Sequence, residues 1–215
     1  MRRRAKIAVA TVSGKAYYKL VNELKDRDVP FLSLVPGDPI PQSIKVVLTT
    51  EKEKPVIDHQ RILIYDAEKD PSDIISEALR IVMNKEVYEE LVIGVDPGKT
   101  FGVAVLADGK TLRREELSTM EKTIDFILTE LKRNPSKTQI IRIGKGLPNL
   151  AEEIASRLER SIPESVLIEM VDEKGTSSLK NSGFKKKLSD ADSAIKIASK
   201  KGEIRLRGSQ IETEY

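Results

Sequence analysis

Apolar positions fall into two rhythms along this chain. Short unbroken runs suit strands buried on both faces, and stripes spaced three or four apart suit helices. Residues 5–12 (AKIAVATV), 30–35, 43–50 and 61–65 read as strands. Between the first two, Ala16 to Arg27 carries Tyr17, Leu20 and Leu24 on one side of a helix. Asp70-Pro71-Ser72 opens a second helix, with Ile74, Ile75, Leu79 and Val82 on its inner side. Pro36 to Pro41 is a stiff, exposed crossing, and Glu51 to Lys54 is a charged stretch between strands. The pattern predicts a small α/β domain over residues 1–90.

From Leu91 onward the order of elements changes. Leu91 to Val95 is an unbroken β-branched run that ends at Asp96, and Pro97-Gly98 then turns the chain. Phe101 to Leu106 is a second strand, and Asp108-Gly109 signals a hairpin into Thr111-Leu112. Ser118-x-x-Glu121 reads as a capping box opening a helix with Ile124, Ile127, Leu128 and Leu131 as its stripe. Strands over Gln139 to Ile143 and Val166 to Val171 flank a helix capped by Asn149 with Glu152 three residues on, and Ser189 to Ala198 is the last helix. Residues 91–215 are therefore expected to form a second α/β domain, with a three-stranded meander continued into a mixed five-stranded sheet.

Composition narrows the class. A chain of 215 residues with 39% hydrophobic and 33% charged positions has the balance of a soluble globular protein. No run approaches a membrane span, and the apolar run after Met1-Arg2-Arg3-Arg4 is too short for a signal peptide. The absence of cysteine excludes disulfides and thiolate metal sites and makes the cytoplasm the expected location. High Lys plus Glu content with no Cys or Trp also suits a heat-adapted protein. Up to Glu90 the charges balance, fifteen basic against fifteen acidic, so the whole net +3 belongs to the remainder. Between Lys174 and Arg207 ten basic residues face three acidic ones, the footprint of a phosphate-binding surface.

Candidate chemistry centres on Asp96. An ordinary Asp-Pro-Gly turn is one reading of the stretch. A phosphate-binding loop is excluded, because Gly94 and Gly98 are separated by three residues rather than four and a strand follows where a helix should begin. A metal-binding carboxylate is the third reading, and it requires further acids downstream. In the first domain, Ser13-Gly14-Lys15 reads as a plain βα turn. His59, the only histidine, lies in a polar connection and is expected to be solvated.

Four motifs occur in order: Gly94-Val95-Asp96-Pro97-Gly98 with Gly102, Gly146-Leu147-Pro148, Asp172-Glu173-Lys174-Gly175-Thr176-Ser177, and Ala191-Asp192-Ser193-Ala194-Ile195-Lys196-Ile197-Ala198. Together they make residues 91–202 resemble the RuvC/YqgF family of RNase H-like nucleases. The resemblance implies an RNase H-like domain acting as a metal-dependent endonuclease on structured DNA or RNA, in the manner of a Holliday-junction resolvase or an RNA-processing enzyme. It implies that Asp96 and Asp192 hold Mg²⁺ or Mn²⁺, so that a pair of ions activates water and stabilises the leaving oxygen. The family's glutamate near the end of the fourth strand is missing, since Arg142, Gly144 and Lys145 stand there, and Asp172 or Glu173 is expected to supply the third carboxylate. Ser189 stands where a second helix aspartate is often found, and the neighbouring Asp190 does not share its face.

Lys99, Lys145, Lys174, Lys180, Lys185, Lys186 and Lys187 are the expected phosphate contacts, with Lys174 to Lys187 as a cationic flap and Phe184 stacking on an unpaired base. A homodimer suits a symmetric junction. Two alternatives remain: a degenerate RNase H-like module that binds nucleic acid without cutting it, and an ATP-binding protein of the actin or sugar-kinase kind. The latter needs two such domains, and the chain has one such hairpin.

Overall fold

The computed structural model describes residues 4–172 and 189–207. The chain divides into two compact α/β units, Met1–Val87 and Tyr88–Tyr215.

In the first unit the elements run β1 (Ile7–Ala10), α1 (Gly14–Asp26), β2 (Phe31–Leu34), β3 (Val46–Thr49), β4 (Ile62–Ile64) and α2 (Pro71–Val82). The sheet is wholly parallel, with strand order β2-β1-β3-β4. Alternation along the strands divides the core. Ile7, Val9, Val46 and Leu48 pack with Leu20 and Leu24 of α1 and Ile74, Ile75 and Ala78 of α2, so both helices lie on one face. Ala8, Ala10 and Val47 point the other way and are covered by Ile40, Ile44 and Ile57 from the connections. Local chemistry starts both helices. The Ser13 hydroxyl accepts from Ala16 N–H, and the Asp70 carboxylate accepts from Ser72 N–H ahead of Pro71. Arg27 joins them, pairing with Glu23 on α1 at 2.6 Å and donating to the Ser76 hydroxyl on α2 at 3.0 Å.

The second unit runs β5 (Tyr88–Asp96), β6 (Phe101–Ala107), β7 (Lys110–Leu117), α3 (Met120–Arg133), β8 (Ser136–Gly144), α4 (Pro148–Glu159), β9 (Val166–Val171), α5 (Asp190–Ser199) and β10 (Glu203–Ile204). Its six strands lie in the order β10-β9-β8-β5-β6-β7. The β5-β6-β7 meander is antiparallel, β8 and β9 continue in parallel, and β10 is antiparallel at the edge. The expected five strands are thus six. β10 has only two residues and no apolar run to announce it, and it is held by Arg205, which pairs with Glu152 and Glu159 of α4. The Asp108-Gly109 hairpin turns with φ of 48° and 75°, the two left-handed residues that the primed turn requires.

Two caps differ from expectation. Thr119, not Ser118, caps α3, because burial of Met120, Thr123, Ile127 and Leu131 sets the helix phase one residue later. α4 begins at Pro148 without a side-chain cap, one residue ahead of Asn149, since proline needs no partner for an N–H at that position.

Candidate functional site

Helix α5 reaches the meander through two glycines. A Cβ at Gly94 would overlap the Ala194 carbonyl and Ala198, and one at Gly102 would overlap the Asp190 carbonyl, so only glycine lets this helix lie directly on β5 and β6. The first turn of α5 is therefore laid beside Gly102, the register partner of Asp96. Asp96 is half-buried at the end of β5, in register with Gly102, beside which the Asp190 carbonyl lies.

The helix acids there have protein partners. Asp190 accepts from the Thr100 hydroxyl, and Arg114 of β7 pairs with Asp192 at 3.2 Å. The Ser189 hydroxyl caps the helix through Asp192 N–H. Among the described residues, no group of three or more His, Asp or Glu side chains is placed to hold a metal ion. Asp172 is exposed after β9, and its carbonyl accepts from Lys200. Arg142, at the position where a fourth-strand acid was sought, is buried: it pairs with Glu169 at 2.8 Å and donates to the Ala198 carbonyl. Lys99 is exposed, and Lys145 pairs with Glu203 at 2.7 Å. Glu173, Lys174, Lys180, Phe184, Lys185, Lys186 and Lys187 lie outside the described residues.

A second polar centre sits in the first unit, in the segment read from sequence only as a charged stretch. From β1 the chain passes to one side for β2 and to the other for β3, which makes the carboxyl ends of β1 and β3 the switch point where open α/β sheets bind ligands. Glu53 fills that point. Its Oε1 accepts from Val12 N–H at 2.6 Å, just past β1, and its Oε2 accepts from the Thr50 hydroxyl at 2.7 Å and from Thr50 N–H at 3.3 Å, just past β3. The Thr49 hydroxyl, fully buried, spans the two strands by donating to the Ala10 carbonyl at 2.6 Å. Burial pulls the Glu53 carboxyl upward, but hydrogen bonds from Thr11, Thr50 and the Val12 and Thr50 amides outweigh it and hold the group below its ordinary value. The available signal was Thr50-x-x-Glu53, a capping-box spacing directly after a buried strand.

Residues 6–82 match the family model of a response regulator receiver-like domain. The match lies wholly within the first unit and covers all four strands of its sheet. A comparison with curated proteins finds no match.

The receiver-like match corrects the expectation of a RuvC/YqgF nuclease. The family matched is receiver-like and not a nuclease family, so the expectation of a metal-dependent endonuclease does not stand. The geometry of the second unit gives the physical reason. The helix acids are engaged by Arg114 and Thr100, and the fourth strand carries a buried guanidinium in place of an acid. His59 also differs from expectation: it is half-buried, with both ring nitrogens against backbone groups. No helix among the described residues is long and apolar enough to cross a membrane.

Proposed function

We propose that this chain is a signalling protein whose receiver-like unit acts as a docking module without accepting a phosphoryl group at its switch point. The observation that carries the reading is Glu53. A nucleophilic carboxylate must be free to attack, whereas Glu53 spends both oxygens on the Val12 amide and on Thr50. The residues just past β1 are Thr11, Val12 and Ser13, none of them acidic, and β3 ends at Thr49 with Thr50 next, ahead of the exposed Glu51 and the engaged Glu53. The crevice is thus held by an internal anion in the position an external one would take, and the two strand ends stay tied whether or not a donor is present.

For the second unit the proposal concerns fold alone: an RNase H-like arrangement. Supporting it are the antiparallel meander β5-β6-β7, the parallel addition of β8 and β9 on the far side of β5, and α5 lying across β5 and β6.

The test is direct. The full chain is incubated with acetyl phosphate and Mg²⁺, and its intact mass is measured before and after hydroxylamine treatment. No acyl phosphate is expected; a stoichiometric adduct removed by hydroxylamine would overturn the docking-module reading.

A further inference from the structure

A second polar region lies at the amino ends of β3 and β4, the end of the first sheet opposite Glu53. Where the chain enters β3 and β4, a pocket of about 530 Å³ is lined by Ile40, Pro41 and Ile44 on its apolar side. This volume falls within the range of small-molecule sites, roughly 300–1,000 Å³.

The polar side is built differently from the switch point. Lys45 lines the pocket and is fixed from behind: its ammonium donates to the Val82 carbonyl at 3.0 Å and to Asn84 Oδ1 at 3.2 Å. Two of its three hydrogens are thereby used, and one remains for a ligand. Beside it, the Arg61 guanidinium has no hydrogen bond or ion pair among the described residues, and neither do the carboxamides of Gln42 and Gln60. Asp58 is the sole acid of the lining, against the basic side chains of Lys45 and Arg61.

His59 forms a fixed wall. Its Nε2 is 3.2 Å from the Ile44 carbonyl, and its Nδ1 stands between the N–H of Arg61 at 3.1 Å and the carbonyl of the same residue at 2.9 Å. The ring has a backbone partner on both sides in either protonation state, so its position is set before a ligand arrives.

We infer that this pocket binds a small molecule bearing an oxyanion, carboxylate or phosphate. Arg61 grips the anion through its paired donors, Lys45 adds a third, and the Gln42 and Gln60 carboxamides read the remainder of the molecule. The inference stands apart from the docking-module reading, because the pocket uses neither Glu53 nor the carboxyl ends of the strands. It supplies that unit with an input of a different chemistry: since Lys45 also holds the last turn of α2, an occupied pocket tightens the end of that helix.

His59 is the only histidine, so its imidazole gives one unambiguous NMR signal pair. The full chain is titrated with sodium phosphate, sodium citrate and adenosine monophosphate at constant pH and matched ionic strength, with sodium chloride as the reference. A saturable shift of the His59 signals is expected with at least one of the three, and which one separates phosphoryl from carboxylate recognition. Arg61→Gln, at an exposed position, is expected to weaken that binding by about tenfold or more, the loss of a charge-assisted pair. Absence of a saturable shift with all three probes, or an unchanged affinity in Arg61→Gln, would overturn the assignment.

Discussion

Glu53 and Glu169 are two carboxylates set against two sheets, and they are satisfied by opposite means. Glu53 is surrounded by neutral donors, the Val12 and Thr50 amides and the Thr50 hydroxyl, so its corner retains a full negative charge. Glu169 is met by a guanidinium, Arg142, together with the Gly202 N–H, so its corner is neutral as a pair. The difference teaches what each place is for. A buried pair is costly to break and contributes mainly by fixing which elements meet. A carboxylate held by amides and hydroxyls is an anion site with its anion built in.

Breaking the pair on one side has the largest expected effect. Arg142→Met leaves Glu169, 8% exposed, with only a backbone amide and should cost about 3–5 kcal/mol in urea unfolding. Adding Glu169→Leu should return most of that loss. If the double variant is no more stable than the single one, the comparison fails, because the penalty then came from packing and not from a stranded charge.

Glu53→Gln should cost less, about 1–2 kcal/mol, since the amide keeps the shape but loses the charge-assisted bonds. The sharper measurement is its pH dependence. The folded state holds the Glu53 carboxyl below its ordinary 4.5, so its stabilisation is complete above that pH and is lost as the pH falls through the lowered folded value. Unfolding of the first unit followed from pH 6 downward should show this acid loss in the native chain and a smaller one in Glu53→Gln. Identical slopes would mean that other carboxylates govern it.

The smallest effect belongs to the corner of α5. Arg114 and Asp192 are 45% and 39% exposed, so Arg114→Gln should change stability by no more than about 0.5 kcal/mol in the same assay. A larger loss would give this pair the same structural weight as Arg142 and Glu169.

These contrasts also explain what was legible in the sequence. Runs such as Val46–Leu48 and Leu91–Val95 announced buried strands because a short run without polar residues, rich in valine and isoleucine, has few other uses. Asp108-Gly109 announced its hairpin because few other residue pairs accept two left-handed residues. Glu53 stayed hidden because a charged residue between strands ordinarily points to water, and only the partners Val12 and Thr50 reveal otherwise. The surroundings of His59 stayed hidden for the same reason: its partners are the carbonyl of Ile44 and the backbone of Arg61, and backbone carries no signature in sequence. The corner at Asp96 was read from motif spacing, but spacing does not report that Arg114, from the middle of β7, reaches Asp192.

The seating of α5 sets a timetable for biosynthesis. Thr100 and Asp190, which bond across that seam, are 90 residues apart, and Val92, Ala104, Leu106 and Ile140 share a cluster with Ala194 and Ala198. At about 5–20 residues per second, roughly 5–20 s separate the emergence of β5 and β6 from that of the helix that covers them. During that interval the first unit, whose strands and helices are all complete by Val82, can fold on the ribosome, while the glycine-lined face of the second stays uncovered. The vulnerable species for this protein is therefore the nascent chain ending before Ser189. A chaperone that recognises apolar sheet surface has its window there, and a truncation that removes the last helix should aggregate rather than yield a smaller folded protein.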